Sequence, residues 1–314
     1  MISNSPDIDP GARHRLTVRF GNEVDAWFDQ LPALLNELAS GWQLELGASI
    51  PRGTASAVFH CRLSDGRSVV LKVSPDHPRL AAEAAALEAW RTVHSPGVIA
   101  FDPQAGALLL EAIQPGTPLI VSMAYPAFER VAGLLGALHG QSVRGGSYPE
   151  VAQRVADLFR SSTKLYDRDQ RLTSLIPYEL YERGHALATR LAESSVGTVL
   201  LHGDLTPRNI LDGGTERGLV AIDPTPCRGD PAFDAVDLIL WQADDLKTIR
   251  ARTEVVGAAI GVDAGRLHAW CCAFAGMVAL ELASEGDFPG ARIEALRRLA
   301  SQAEPTSWDD GSTA

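Results

Sequence analysis

Three polar side chains in the second half of the chain have types and spacing that suit one kind of chemistry. Asp204 and Asn209 stand five residues apart in the run 201–211, and Asp223 ends a short apolar segment. In magnesium-dependent phosphoryl transfer, one carboxylate accepts the proton of the attacking hydroxyl, while an amide and a second carboxylate hold the metal. The pattern predicts Asp204 as the catalytic base and Asn209 and Asp223 as metal ligands. Either element alone also fits an ordinary turn, as Asp before Pro224 does, so the prediction depends on both.

A lysine inside an apolar segment adds a possible phosphate contact. Lys72 belongs to the predicted strand 68–73, where it is flanked by valines and a leucine. Burying an unpaired ammonium is costly, so a lysine that reaches nucleotide phosphates needs an acidic partner. Glu83 and Glu88 on the following helix are the candidates. Glu83 is favoured because alanines surround it and indicate a close-packed face. In the alternative, Lys72 points outward from an edge strand.

Other polar residues carry weaker signals. The turn at 51–57 could cover a phosphate, but it contains one glycine, and no G-x-x-x-x-G-K-[ST] motif occurs, which argues against a P-loop enzyme. Asp230 is a good helix N-cap before a proline, and Asp234 could brace the 201–211 loop. We interpret both as structural, and likewise His139 and His202.

An acidic group follows the long apolar segment near the C-terminus. Glu281, Glu285 and Asp287 could bind a cationic substrate, or could form a solvated helix end.

The elements that must position these residues change character along the chain. Residues 1–20 are predicted as a loose tail with a short strand or coil. Apolar residues then recur at helical spacing over 24–38, where Pro32 is expected to divide two short helices. Asp65-Gly66 is a hairpin turn signal. Strands are predicted at 42–46, 57–63, 68–73, 98–101, 108–112, 198–201 and 219–223, and further helices at 80–93, 124–139, 150–165, 176–194, 232–242, 245–260, 263–285 and 289–303.

This order of elements predicts an α+β protein with two lobes. Residues 1–113 would form an N-terminal lobe with a five-stranded sheet and one inserted helix. The Pro- and Gly-containing segment 114–118 is the best linker candidate. Residues 114–304 would form a larger helical C-terminal lobe, and 305–314 a flexible tail.

Composition limits the partners and the compartment. The 314 residues carry a net charge of −11, which argues against nucleic acid and mildly favours a cationic substrate. The four cysteines form no C-x-x-C pair, so free thiols in a reducing compartment are expected. The N-terminus lacks the apolar region of a secretory signal, and the stretch 269–280 is too short to span a bilayer. We therefore expect a cytoplasmic protein with no membrane partner.

The motif residues resemble those of the aminoglycoside phosphotransferase family. That family carries H-G-D-x-x-x-x-N, then I-D, then G-D-P-x-x-D, which here are residues 202–209, 222–223 and 229–234. The resemblance extends from about residue 20 to about residue 300. Residues 26–34 and 87–90 are similar to the branch that contains streptomycin 6-phosphotransferases and hydroxyurea phosphotransferases.

The resemblance implies a two-lobed protein-kinase-like fold with a small antiparallel-sheet N-lobe and a larger, mainly helical C-lobe. It implies ATP and Mg²⁺, with Lys72 on the α- and β-phosphates and Glu83 as its ion-pair partner. Adenine would lie on the backbone near Glu111 and Ile113. The implied activity is phosphorylation of an antibiotic hydroxyl, with a cationic aminoglycoside as substrate and streptomycin favoured. A monomer is favoured as well.

Two positions depart from the family pattern. Many members have histidine where Thr206 stands and a small residue where Arg208 stands, so the local substrate surface is expected to differ.

Three other functions compete with phosphorylation of an antibiotic. Two are alternatives that stay open: a kinase of another small alcohol, such as hydroxyurea, an amino alcohol or a sugar, and a nucleotide-binding pseudokinase. A protein kinase is disfavoured because A-P-E is absent and no room is left for an activation segment.

Overall fold

The structure is a computed structural model that describes residues 8–51, 55–122, 124–140, 148–195, 197–286 and 290–303. The chain folds into two compact units. The N-terminal unit comprises the chain up to residue 117 together with residues 212–225. The C-terminal unit comprises residues 118–211 and the chain from residue 226 onward. The predicted lobe boundary at residue 113 stays a prediction, and the tail 305–314 lies outside the described residues.

The bounds of the elements are as follows. The strands are β1 Leu44–Ser49, β2 Ala57–Leu63, β3 Ser68–Val73, β4 Val98–Asp102, β5 Ala107–Glu111, β6 Thr117–Pro118, β7 Val199–Leu201, β8 Ile210–Asp212, β9 Leu219–Ala221 and β10 Cys227–Gly229. The helices are α1 Pro10–Phe20, α2 Val24–Trp42, α3 His77–Trp90, α4 Phe128–His139, α5 Val151–Arg168, α6 Arg171–Leu175, α7 Tyr178–Glu193, α8 Gly214–Arg217, α9 Ala232–Leu240, α10 Leu246–Ile260, α11 Ala264–Ser284 and α12 Ala291–Ala300.

An antiparallel sheet forms the body of the N-terminal unit. Its five strands lie in the order β1-β2-β3-β5-β4, so β3 is central and Lys72 does not stand on an edge. The β2–β3 hairpin turns at Gly66, whose φ of +88° favours glycine. One face of the sheet packs against α2 and α1, with Phe59 and Leu71 fully buried between them. Five strands with one helix inserted between β3 and β4 were predicted, and the structure confirms this arrangement.

The two predictions for the N-terminal segment were wrong. Residues 10–20 form α1, because the Asp9 side chain caps it by accepting a hydrogen bond from the Gly11 amide at 3.1 Å, and Leu16 is fully buried. Pro32 does not divide two helices but lies inside the continuous helix α2. Phe28 and Leu35 are buried on either side of it, and their packing outweighs the backbone bond that the proline removes.

The C-terminal unit is built around α11. This helix packs against α5, α7, α9, α10 and α12. Trp270 and Phe274 on α11 meet Phe233 of α9 with ring centroids 5.7 and 5.6 Å apart. By length and composition α11 could span a membrane, but 78% of its most apolar window is buried inside the protein, as in a core helix.

The remaining predictions agree with the structure in outline. The seven helices predicted after residue 118 are present within a few residues of their expected ends. The strands β6, β8 and β10 and the short helices α6 and α8 were not predicted. All four cysteines are free and buried, as expected for thiols that form no disulfide.

Candidate functional site

In the N-terminal unit, three charged side chains meet at the centre of the sheet. The Lys72 ammonium lies 2.5 Å from the Glu83 carboxylate and 2.7 Å from the Asp223 carboxylate. Lys72 and Glu83 are almost fully buried, whereas Asp223 is partly exposed. Glu88, the other acidic candidate on α3, pairs instead with Arg91 on the surface. The structure thus brings Lys72, Glu83 and Asp223 together.

The ammonium of this group is shared by two carboxylates. Lys72 pairs with both Glu83 and Asp223, and the Arg79 charge also acts on Glu83. Burial alone would lower the pKa of Lys72, but the Asp223 and Glu83 carboxylates outweigh it, so the pKa is raised and the ammonium stays charged. Burial and the nearby Asp223 carboxylate raise the pKa of Glu83, against the opposite effect of Lys72.

The backbone at Asp223 is unusual. Its φ of +58° lies in the left-handed region, which aspartate tolerates better than most residues. It follows β9, whose three residues are buried. The left-handed residue turns the chain directly after the strand, at the point where the carboxylate reaches Lys72.

In the C-terminal unit, a buried aspartate holds the backbone of the motif loop. The Asp234 carboxylate accepts hydrogen bonds from the amides of His202 at 2.7 Å and Gly203 at 2.9 Å. It also contacts the His139 ring at 3.0 Å. Burial raises the pKa of Asp234, but His139 and the loop amides outweigh it, so the pKa is lowered and the carboxylate remains charged. The structural roles predicted for Asp234, His139 and His202 agree with these contacts.

Asp230 and its neighbours anchor the following helix. The Asp230 carboxylate accepts hydrogen bonds from the Ala232 amide at 2.9 Å, the Arg266 guanidinium at 2.5 Å and the Trp270 indole at 2.8 Å. It therefore ties the start of α9 to α11, which agrees with the structural role predicted for it.

The carboxylate of Asp204 is held by two neighbours. The Asn209 amide nitrogen donates to Oδ2 at 2.9 Å and to the Asp204 carbonyl at 2.9 Å. The Arg154 guanidinium donates to Oδ1 at 3.1 Å. The side chain is 31% exposed, so it remains accessible to a ligand. The spacing of Asp204 and Asn209 predicted that one loop presents both side chains, but the hydrogen bond between them was not predicted, and nothing in the sequence singled out Arg154.

A pocket of about 160 Å³ opens beside Asp204 within the same unit. Its walls combine apolar residues of α5, α9 and α11 with the carboxylates of Asp204, Asp237 and Glu281. Burial, and then the Glu281 and Asp204 carboxylates, raise the pKa of Asp237 to about 7. Sequence reasoning missed Asp237, although it stands one helical turn after Asp234 and therefore on a neighbouring face of α9.

The two described acidic candidates at the end of α11 have different partners. Glu281 lines the pocket and accepts a hydrogen bond from Ser162 at 2.7 Å. Glu285 pairs with Arg208 at 3.0 Å, and both side chains are more than half exposed. Arg208, a departure from the family pattern, therefore neutralises one predicted substrate contact. Asp287 lies outside the described residues, and so do residues 52–54 of the predicted phosphate-covering turn.

The two residues expected near adenine lie at and just after the end of β5. The Glu111 carboxylate pairs with Arg217 at 2.7 Å. Ile113 is buried, and its main chain makes no hydrogen bond to any other residue that the structure describes. A free backbone donor and acceptor of this kind can pair with a planar heterocycle.

The two predicted metal ligands belong to different units, Asn209 to the C-terminal one and Asp223 to the N-terminal one. In the described part of the chain, no three His, Cys, Asp or Glu side chains are placed to hold a metal. Each predicted ligand offers an oxygen of the type that Mg²⁺ binds, an amide oxygen in Asn209 and a carboxylate in Asp223.

Comparison with known proteins identifies relatives along most of the chain. The model of a family described as aminoglycoside/hydroxyurea antibiotic resistance kinase matches residues 41–286. A streptomycin 6-kinase of Streptomyces glaucescens is 30% identical over 269 residues, covering 80% of this chain and 82% of that protein. A hydroxyurea phosphotransferase of Kitasatospora aureofaciens is 29% identical over 272 residues, covering 83% and 76%. The resemblance inferred from the motifs is confirmed.

Solved structures establish the fold. Choline kinase LicA from Streptococcus pneumoniae superposes with a TM-score of 0.55 at 17% identity, over 88% of this chain and 98% of that one. A thermostable mutant of aminoglycoside phosphotransferase APH(4)-Ia gives a TM-score of 0.54 at 16% identity, over 82% and 95%. The predicted protein-kinase-like α+β fold is therefore confirmed.

Proposed function

The chain belongs to the aminoglycoside/hydroxyurea antibiotic resistance kinase family, and we propose that it phosphorylates a hydroxyl of an antibiotic with ATP as donor. A streptomycin-type aminoglycoside is the favoured acceptor, since a streptomycin 6-kinase is 30% identical to the chain. The observation that carries the proposal is the Asp204 carboxylate. It lines a pocket and is held in place by an amide and a guanidinium.

In the proposed reaction, Asp204 accepts the proton of the acceptor hydroxyl as its oxygen bonds to the γ-phosphorus. The bond between that phosphorus and the bridging oxygen of ADP breaks. Transfer of this kind depends on positioning and on charge stabilisation, because its transition state is loose. Asp204 therefore acts chiefly by orienting the hydroxyl, which its fixed carboxylate is suited to do.

The nucleotide is assigned to residues of the N-terminal unit. Lys72 would contact the phosphates, held there by Glu83, and the main chain near Glu111 and Ile113 would receive the adenine. The buried ion pair and the unpaired main chain of Ile113 within the described residues support this assignment. Solved structures of the same fold contain AMP and AMP-PNP. Mg²⁺, bound through Asn209 and Asp223, would neutralise phosphate charge.

The acidic side chains of the acceptor pocket support a cationic substrate. Asp237 and Glu281 line it beside Asp204, and the protein as a whole is strongly acidic. Glu285 and Asp287 stay weaker candidates for substrate contact. The proposed enzyme is a cytoplasmic monomer with no nucleic-acid or membrane partner, which its charge and its four free thiols support.

Hydroxyurea is the second candidate acceptor. The hydroxyurea phosphotransferase is 29% identical to the chain, almost as similar as the streptomycin kinase. Hydroxyurea is small and uncharged, so it would make little use of the carboxylates in the pocket.

The test is an acceptor panel with the purified protein and Mg-ATP. Streptomycin, other aminoglycosides, hydroxyurea, choline and simple sugars are each incubated, and the phosphorylated product is measured by mass spectrometry. We expect streptomycin to be phosphorylated, and Asp204→Asn to lower turnover about a thousandfold while nucleotide affinity is retained. Asp157→Asn, an exposed aspartate on α5, is the matched control and should keep wild-type turnover.

Each contrary outcome has a distinct meaning. Turnover of choline or a sugar without streptomycin would reassign the substrate. ATP binding without turnover of any alcohol would indicate a pseudokinase. Near-normal turnover by the Asp204→Asn protein would contradict the catalytic role of Asp204.

A further inference from the structure

Arg154 joins two parts of the motif loop. Its Nε donates to the Gly203 carbonyl at 2.6 Å, and its Nη2 donates to Oδ1 of Asp204 at 3.1 Å. The arginine side chain is only 16% exposed. A guanidinium presents its donors in a rigid planar fork, so these two bonds fix the carboxylate relative to the backbone that carries it.

The carboxylate needs both of its neighbours to hold one orientation. The terminal torsion of an aspartate is broad, so a contact to one oxygen leaves the other free to swing. Asn209 holds Oδ2 and Arg154 holds Oδ1. Together they restrict the rotation that a single contact would allow.

The pocket that Asp204 lines is acidic. Asp237 and Glu281 line it too, and none of the described residues that line it is basic. Burial and the neighbouring carboxylates raise the pKa of both side chains, so this surrounding disfavours a negative charge. Arg154 places a positive charge directly on Asp204 and so favours its charged form.

The position of Arg154 and the position of the motif loop are set by elements that pack against each other. Arg154 lies in the first turn of α5, and the Arg228 amide of β10 donates to the Pro149 carbonyl just before that helix. A Cβ on Gly229 would come within 2.4 Å of Val151, so β10 and α5 are in close contact. β10 pairs with β7, which leads directly into the loop. The distance between guanidinium and carboxylate is thus set by packed elements.

From these contacts we propose that Arg154 is a positioning residue that aims the Asp204 carboxylate at the acceptor hydroxyl. The proposal rests on the proposed function, because it assigns Arg154 a task in that reaction. Arg154 acts through Asp204 and needs no contact with the substrate. Its removal lowers kcat, and nucleotide affinity does not change.

The test compares Arg154→Gln and Arg154→Lys with the control Arg160→Gln. Arg160 lies on the same helix but is exposed and pairs with Asp157. We expect Arg154→Gln to lower kcat on the order of 100-fold, because small misplacements of a reacting group have effects of that size. The KM for ATP should stay within about twofold of wild type, Arg154→Lys should recover part of kcat, and Arg160→Gln should match wild type.

A double-mutant cycle separates positioning from a general loss of structure. If Arg154 acts through Asp204, Arg154→Gln has no further effect on the residual turnover of the Asp204→Asn protein. An equal loss of turnover in both backgrounds would overturn the proposal, and so would an Arg154→Gln protein with wild-type kcat.

A second readout does not depend on turnover. Arg154→Gln should increase amide hydrogen exchange in the peptide that spans residues 202–209, and Arg160→Gln should not. Unchanged exchange in that peptide would overturn the positioning role even if no acceptor were found. A wild-type protein that turns over no alcohol would instead contradict the proposed function alone.

Discussion

Neighbouring groups give three carboxylates of the C-terminal unit different properties. Asp234 is fully buried and stays charged because amides and His139 surround it. Asp204 is partly exposed and is paired with Arg154. Asp237 makes no hydrogen bond to a described residue through its side chain and has a pKa raised to about 7 by burial and by other carboxylates. The same side-chain type therefore holds a loop at Asp234, forms an ion pair at Asp204 and has a raised pKa at Asp237.

The raised pKa of Asp237 predicts a pH-dependent stability. The folded protein keeps this proton up to about pH 7, whereas the unfolded chain releases it near the ordinary value of about 3.9. Between these values the folded state binds more protons, so this contribution to stability is lost as pH rises toward 7. Asp237→Asn stays neutral, so its stability relative to wild type should rise by about 2 to 3 kcal/mol between pH 5 and pH 8.

Urea unfolding at pH 5 and pH 8 measures this difference, with Asp157→Asn as the exposed control. The same offset between Asp237→Asn and wild type at both pH values would contradict the raised pKa.

Sequence reasoning located some of these residues and missed others for a physical reason. Lys72 and Glu83 stood out because a charged side chain in an apolar strand, or among alanines, needs a partner. Asp204 and Asn209 stood out by their spacing. Arg154 lies on the amphipathic helix α5, where a charged residue is ordinary. Asp237 lies on α9, which is buried on nearly all sides, so its charge among apolar residues was a signal that could have been used. Only the packing of those helices shows that both face the motif loop.

At the scale of elements, local signals were sufficient for most strands and helices. Alternating or continuous apolar runs between turn residues predicted all five strands of the sheet. The secondary-structure predictions that failed concern segments whose structure depends on tertiary contacts. Helix α1 is polar along most of its length and depends on the cap at Asp9 and the burial of Leu16. β8 and β10 have three residues each and include a charged one, so they lack the apolar run that marks β7 and β9.

The proline inside α2 predicts a stabilising substitution. Pro32 cannot donate a hydrogen bond to the Phe28 carbonyl one turn earlier, so Pro32→Ala should restore that bond. Alanine also makes the unfolded chain more flexible, which offsets part of this stabilisation. We therefore expect a net gain of about 1 kcal/mol in the free energy of unfolding. Pro78→Ala is the control, because Pro78 lies in the first turn of α3, where no such bond is lost.

Denaturant unfolding of both variants measures the effect. Loss of stability in Pro32→Ala would show that the packing around α2 has adapted to the proline.

At the scale of the whole molecule, the N-terminal unit is not continuous in sequence. It includes residues 212–225, which lie almost a hundred residues beyond its first segment. β9 is fully buried, and its Ala221 amide donates to the His94 carbonyl at 2.9 Å. Arg217 donates to the carbonyls of Val93 and Ser95 at 2.8 Å each. This later segment therefore completes the unit and also supplies Asp223 to Lys72.

This organisation predicts the behaviour of fragments. A fragment of residues 1–117 lacks β9 and leaves Lys72 with a single carboxylate, so it should not unfold cooperatively. The same fragment joined by a Gly-Ser linker to residues 212–225 should regain a cooperative thermal transition in circular dichroism. A cooperative transition of the shorter fragment would contradict the role assigned to the later segment.

The buried Asp234 also has a consequence for how such an enzyme can diverge. The carboxylate fixes two amides of the loop from within the protein body, so the loop is preorganised before any ligand arrives. A lineage that adopts a new antibiotic can then leave this loop unchanged and vary the wall of the pocket. Inactivating changes, by contrast, can arise at His139, which contacts Asp234 but does not line the pocket.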